Sequence, residues 1–488
     1  MTQTFFFYDL ETTGFNSREA RIVQFAGQRT SLDLKPIGNP VDKLIKITED
    51  ILPDPGAVLV TGITPQATLK NGISEVDFLK VFNSEVNLPG TIFVGFNNIR
   101  FDDEFIRFIQ YRNFYEPYEW QWKDGRLRWD MLDVARMTRA LRPLGIKWPF
   151  DSEGNPSNRL EYLAEINNLI HIKAHDALSD ANATVAVAQL IMDKQLKLFS
   201  FLLQMRSKDR VKELVNKGEP FIYTSGKYDS EFEKTTVVAS VGEHPKSNGA
   251  LVYDLRFDPT EFSELSPQTL ASYWKWQPEE KRRKLPVKTL QFNRSPAIAP
   301  LSTLDKDSQE RLKIDLKKIH KNYEKLLAIK NWPGKLYQAI DILDEASTQT
   351  NLIAPDYPKD NELYEGFLPA VDKNVIVAIQ KSQPENLDQI GAKLSDQRLK
   401  SMLPLYKARN FRDSLTPEEV KAWEKYRVNK LFSGGPSSQY AKFVTQIQYM
   451  LSQTTTSKSE GILKDLLAYG ESVKPSSFDE ELDKESLK

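Results

Sequence analysis

The chain of 488 residues contains no cysteine and only four histidines. Without cysteine there is no disulfide framework, no thiolate zinc site and no cysteine nucleophile. That composition fits a reducing compartment. An excess of one charge is also missing. Lys and Arg number 66 against 67 Asp and Glu, a net charge of −1, so any polyanionic partner has to be met by locally gathered positive charge. No run approaches the ~18 apolar residues of a membrane span. The stretch Met1 to Phe7 lacks the charged start and long apolar core of a secretion signal. The expectation is a soluble, cytoplasmic protein without a membrane partner. With 40% hydrophobic and 27% charged residues, a mostly disordered chain is excluded. At ~150 residues per domain, the length predicts two to four domains.

The first 190 residues read as strands interspersed with helices, the pattern of an α/β domain. Strands are expected at Phe5–Tyr8, Arg21–Ala26 and Thr91–Phe96. Helices are expected around 76–82 and over 103–112, 129–141, 159–169 and 177–203. After Met205 the texture changes to short β-runs between Gly and Pro turn signals, at 220–224, 235–239, 250–255 and 286–292. A linker is expected at Ile353–Pro358, then a mostly helical part ending in a polar tail. Thr416-Pro417-Glu418-Glu419 is a helix start, with Thr as N-cap, Pro at N1 and Glu at N3.

Three segments carry acids where strands end or helices begin. Asp9 and Glu11 follow the first apolar run, and residues i and i+2 of a strand share a face. Two carboxylates side by side are costly unless a cation sits between them, and a hard divalent ion is the usual answer. Asp102 lies at the start of the next helix, and His175 and Asp180 flank the start of the long helix near 177. Read singly, these are solvated acids, a helix-start charge and a loop histidine. Together, four carboxylates and one histidine form a hydrolytic kit. Two Mg²⁺ or Mn²⁺ ions activate water and stabilise both oxygens of a phosphodiester displacement, and a histidine takes the proton. Asp130 and Asp133 are alternative acids nearby, and Asp103 and Asp176 neighbour the chosen ones.

Asp9-x-Glu11, Asn97…Phe101-Asp102 and His175-x4-Asp180 resemble, in order, the three motifs of the DEDDh exonucleases. The spacing selects Asp102 and Asp180 over Asp103 and Asp176. Beyond the motifs, Pro53–Pro65, Gly95–Glu104, Tyr111–Tyr118, Arg128–Val134, Ala140–Pro149 and Tyr406–Phe411 are similar to the bacterial exodeoxyribonuclease I family, a likeness over nearly the whole chain. The resemblance implies an RNase H-like α/β exonuclease domain at 1–192, an SH3-like β-rich domain with added helices at 196–350 and a C-terminal helical domain at 354–488. It implies processive, Mg²⁺-dependent 3′→5′ degradation of single-stranded DNA to nucleoside 5′-monophosphates in DNA repair and recombination, with two metal ions per site and Mn²⁺ as a substitute. Asp9, Glu11 and Asp180 hold metal in that reading, Asp102 supports the second ion, and His175 is the general base. The resemblance further implies that Glu11 touches the terminal nucleotide, that Arg159 reaches a phosphate and that Gly62-Ile63-Thr64 lies beside the terminal base; read without it, that segment is a turn after a buried strand.

From Arg100 to Trp148 there are ten Lys and Arg, eight Asp and Glu and eleven aromatics, an interleaving that suits single-stranded nucleic acid. Aromatics at helical spacing such as Phe105, Phe108 and Trp129 are expected in the core. Arg107, Tyr118, Trp122, Arg136 and Arg142 match DNA-contacting positions of the family. Lys281–Lys284 and Lys313, Lys317, Lys318, Lys321 and Lys325 are further basic candidates, diluted by nearby acids, and Asn293-Arg294 follows a β-run that faces DNA in the family. The resemblance also implies the C-terminal tail of single-stranded DNA-binding protein as a partner, with Arg142 in its site, a monomeric state, and three domains closing a ring or C-shape over the strand. Two other readings stay open: the same chemistry on RNA, disfavoured by ~300 residues beyond a compact nuclease domain, and a catalytically weak nucleic-acid-binding protein. A replicative proofreading subunit is disfavoured because no polymerase-binding tail is evident.

Overall fold

The computed structural model describes residues 3–171, 174–274, 284–350 and 360–475. The expected linker at 353–358, the basic residues 281–283 and the tail from 476 onward lie outside the described residues.

The first sheet has five strands, β1 (Thr4–Thr12), β2 (Ile22–Thr30), β3 (Val41–Leu44), β4 (Thr91–Gly95) and β5 (Leu127–Asp130), in the order β3-β2-β1-β4-β5. β1 pairs antiparallel with β2 but parallel with β4, and β4 parallel with β5. β1 therefore lies at the centre, and both its faces are covered. Phe5 and Phe7 point into one core with Trp129 and Phe199, while Phe6 and Tyr8 point into another with Phe25, Phe78 and Phe93. A strand buried on both faces reads as an unbroken apolar run, which Phe5–Tyr8 is.

Helices α1 (Pro55–Thr61), α2 (Pro65–Asn71) and α3 (Glu75–Val81) precede β4. Then come α4 (Asp102–Arg112), α5 (Met131–Leu141), α6 (Leu160–Ile166), α7 (Ala177–Lys194) and α8 (Leu196–Gln204). Several expectations are corrected. The segment ahead of Gly62, a buried strand in the turn reading, is helix, because Asp54 caps the Ala57 amide and Pro55 opens the first turn. Gly62, at φ 72°, therefore joins two helices. Leu127–Asp130 is strand where the helix was expected to start, because Trp129 packs against Phe5 and Phe199 and Asp130 caps α5. The expected helix 177–203 breaks at Gln195, and that at 159–169 is confined to Leu160–Ile166.

The second sheet, β6 (Phe221–Thr224), β7 (Thr235–Glu243), β8 (Gly249–Asp254), β9 (Val287–Gln291) and β10 (Ala297–Pro300), is antiparallel throughout in the order β10-β6-β7-β8-β9. Strands β3 and β10, four residues each, escaped the sequence reading. Ile222, Val237 and Leu251 share one core with Trp129 and Phe199, so the two sheets are joined through α5 and α8. Residues 360–475 are helical, and Thr416 and Glu419 form the expected capping box of the helix Pro417–Arg427.

The helical part is fastened to the first by buried charge. Arg409 donates to Asp50 at 2.7 Å and to Asp360 at 2.8 Å, Arg21 donates to Asp360 at 2.6 Å, and Lys430 donates to Asp50 at 2.7 Å. Burial alone raises the Asp50 carboxyl, but Arg409, Lys430 and Arg21 outweigh it and hold it well below the usual carboxylate range; Asp360 is held down by Arg21 and Arg409 against its own burial. A depressed folded pKa stabilises above the unfolded value of ~3.9 and loses that contribution as pH falls through the folded pKa. Thermal unfolding followed from neutral pH downward is thus expected to show the steepest loss of stability below the ordinary carboxylate range. Asp50→Asn should flatten that acid limb while lowering stability at neutral pH, and an unchanged limb would remove the cluster from this role.

Candidate active site

Four elements converge at the C-terminal end of β1. Its pairing with β4 stops at Phe7 and Val94, so Asp9 and Glu11 project beyond the parallel ladder on one face, inside the strand and not at its very end. β4 ends at Gly95, where any Cβ would lie 2.6 Å from that of Asn98 and 3.1 Å from the Tyr8 carbonyl. That close approach turns the chain into α4, whose first residue is Asp102. On the other side, α7 starts with Asp176 as N-cap, accepting from the Ser179 amide at 3.2 Å, and carries Asp180 in its first turn.

Asp9, Glu11 and Asp180 each offer a carboxylate oxygen within 4.8 Å of the others. Asp102 acts on the same field. Burial, then the charge of Asp102, then Asp180 and Glu11, holds the Asp9 carboxyl well above its usual range. Asp102 is itself raised by burial and by Asp103. Asp180 is raised by burial, against the pull of His171. Buried carboxyls, of which Asp9 and Asp102 are raised further by neighbouring acids, suit a bound positive charge, and an all-oxygen carboxylate cluster fits a hard divalent cation.

The alternative acids have other tasks. Asp103 is fully buried, accepts from Tyr8 Oη at 2.5 Å and pairs with Arg128, so it is neutralised in place. Asp130 accepts the Leu132 and Asn97 amides at 3.0 and 2.9 Å, and burial pushes its carboxyl up to about 7. Asp133 is bound by Arg100 at 2.6 Å and Arg136 at 2.8 Å.

His175 is exposed, sits at φ 61° and reaches Asp180 only through its backbone amide, at 3.2 Å. The imidazole touching Asp180 is that of His171, its Nε2 2.5 Å from Oδ1. His171 escaped the sequence reading. The available signal was scarcity, since two of only four histidines lie within nine residues of Asp180.

A cleft of about 1090 Å³ opens over the acids, lined by Asp9 and Asp180 together with Arg136, Arg159 and Lys234. Arg159 is exposed, 5.7 Å over the Tyr162 ring, and its nearest acid is Glu161 at 4.0 Å. The other expected DNA contacts do not line this cleft. Arg107 is buried, paired with Glu104, hydrogen-bonded to Gln121 at 3.1 Å and stacked 5.7 Å from the Tyr118 ring. Trp122 is 62% exposed. Arg142 pairs with Asp305 at 3.1 Å and donates to the Thr303 carbonyl at 2.9 Å.

Residues 6–188 match the exonuclease family model, which sets the class: an exonuclease, an enzyme dependent on divalent metal. Residues 206–340 match the exonuclease I SH3-like domain and 358–473 the exonuclease I C-terminal domain. The chain belongs to the exodeoxyribonuclease I family. It is 37% identical over 475 residues to the exodeoxyribonuclease I of Haemophilus influenzae, covering 96% of this chain and 98% of that one. The solved exonuclease I of Methylocaldum szegediense superposes with a TM-score of 0.88 at 38% identity, over 96% of this chain and 99% of that one. The Escherichia coli exonuclease I bound to a dA16 oligonucleotide gives a TM-score of 0.88 at 33% identity, over 96% and 100%. That same relative has been solved with zinc and single-stranded DNA, and an exonuclease I has been solved as SSB/exonuclease I with an inhibitor, with a TM-score of 0.86 at 33% identity. The α/β exonuclease, SH3-like and helical order expected from the sequence holds. Among the described residues, no helix is long and apolar enough to cross a membrane.

Proposed function

We propose that this exonuclease degrades single-stranded DNA processively from a free 3′ end, releasing nucleoside 5′-monophosphates in DNA repair and recombination in the cytoplasm. The observation that carries the reading is the convergence of Asp9, Glu11 and Asp180, two of which, Asp9 and Asp180, line a cleft shared with Arg136 and Arg159. These three, with Asp102, would hold two Mg²⁺ ions, with Mn²⁺ as a substitute. When bound, the ions supply activation of water and neutralisation of charge on the scissile phosphate.

The chain's own residues do the rest. The His175 imidazole accepts the water's proton, Glu11 orients the terminal nucleotide, and Arg159 and Arg136 receive the phosphate charge that the carboxylate cluster by itself would repel. Tyr118 and Trp122 extend the strand's path along the segment after α4, with rings for bases, and Arg107, held by Glu104 and Gln121, backs the Tyr118 ring. The bound oligonucleotides of the Escherichia coli relative support single-stranded DNA as substrate. The SSB/exonuclease I structure supports the C-terminal tail of single-stranded DNA-binding protein as a partner of the monomeric chain, for which Arg142 is the candidate site residue.

The test is a time course on 5′-labelled single-stranded DNA, matched RNA and duplex DNA, with Mg²⁺ or EDTA. Mg²⁺-dependent loss of the DNA single strand alone, with few intermediates under a trap, is expected. Equal or faster loss of RNA would transfer the chain to the ribonuclease branch of the superfamily.

A further inference from the structure

Among the described residues lining the catalytic cleft, Lys234 alone comes from outside the first 190 residues. It lies in the turn that leads into β7 of the second sheet. That turn is rigid. Glu233 and Lys234 both take positive φ, 50° and 57°, the Lys234 amide donates to the Asp229 carbonyl at 3.2 Å, and its own carbonyl accepts from Ser225 at 2.9 Å. Strain of this kind persists only where the surroundings over-determine it.

The surroundings are on α5. Glu233 forms an ion pair with Arg139 at 2.7 Å, where Arg139 is 3% exposed. Arg139 also donates to the carbonyls of Pro149 at 2.8 Å and Ser157 at 2.7 Å, both on the loop that forms the cleft wall ahead of Arg159. One arginine thus fixes the wall of the cleft and the turn of the second domain together. Gly226 of the same turn packs on Arg136, whose Nη1 would be 3.0 Å from any Cβ there.

Glu233 is pinned, and its neighbour Lys234 faces the cleft. The Lys234 ammonium has no side-chain partner among the described residues. Burial and the positive charge of Arg136 both act against its protonation, and Asp229 acts for it. Lys234 and Arg136, the latter paired on one side with Asp133, line the same cleft as Asp9 and Asp180 and lie close enough to repel, an arrangement that suits a polyanion bridging them.

Resting on the single-strand nuclease reading above, we propose that Lys234 is the second domain's ligand for an internucleotide phosphate of the strand entering the catalytic cleft, presented there by the Glu233–Arg139 ion pair. The SH3-like domain then holds the substrate beside the reacting bond as well as along its path. Lys234 is a positioning residue, with no part in proton transfer.

The test uses the full chain with Lys234→Asn and Lys234→Arg; asparagine tolerates positive φ and keeps the turn. Lys234→Asn is expected to raise KM for single-stranded DNA about 3–10-fold with a much smaller change in kcat, and to reduce the slope of log affinity against log salt by about 0.7, the value of one phosphate contact on a single strand. Lys234→Arg should restore both. An unchanged KM and slope would overturn the proposal, and so would a raised KM with an unchanged slope, which marks mere loosening of the turn. Wild-type protein that fails to cleave single-stranded DNA would instead remove the functional reading itself.

Discussion

Asp180→Ala is expected to lower turnover on single-stranded DNA on the order of 10³-fold or more, about 4 kcal/mol of transition-state stabilisation at 1.36 kcal/mol per decade. The loss exceeds the 10–100-fold typical of removing a group behind a metal ligand, because Asp180 supplies one of three converging oxygens. Binding should move in the opposite direction. In EDTA the wild-type cluster presents several repelling carboxylates to a phosphate, and after burial the charges of Asp102, Asp180 and Glu11 raise Asp9. Deleting one lessens that repulsion, so Asp180→Ala should bind DNA without metal at least as tightly as wild type. Isothermal titration with Mn²⁺ should show the metal affinity lost in the same variant. Turnover within a few-fold of wild type would sink the metal assignment. Loss of DNA binding together with activity would point to a damaged fold.

That contrast reflects how the site was legible in the sequence. Asp9 and Glu11 were readable because strand periodicity is local: an apolar run followed by acids at i and i+2 fixes a shared face without knowledge of the partner strands. The choice of Asp102 over Asp103 rested on motif spacing, and the structure gives it a physical basis. Asp103 is consumed by Tyr8 and Arg128, side chains 95 and 25 positions away, a pairing no local pattern encodes. The interior arginines escaped for the same reason. Arg139 looked like one more cation in a mixed stretch, yet it ties the cleft wall to the second sheet. Arg107 looked free for DNA and is engaged by Glu104 and Gln121. Short elements misled where capping outweighed composition, as in Val58–Thr61, where β-branched residues sit in a helix started by Asp54 and Pro55.

The base assignment is the point at which sequence and structure pull hardest against each other, and His175→Ala decides it. Removal of a general base lowers turnover about 10²–10⁴-fold, with little effect on KM because the imidazole contributes to proton transfer more than to holding the strand. His171 stands in a different relation to the chemistry. Its Nε2 contacts Asp180 and orients a carboxylate, as a histidine behind a metal ligand does. His171→Asn should therefore cost about 10–100-fold, and the loss should shrink as Mg²⁺ is raised, since weakened metal binding is compensated by mass action. The His175→Ala defect should not respond to Mg²⁺. The two variants thus separate by metal titration even where their turnover at one concentration coincides. If His171→Asn shows the larger, Mg²⁺-insensitive loss and His175→Ala is near wild type, the general base is His171, and the exposed His175 side chain serves only the loop whose amide binds Asp180.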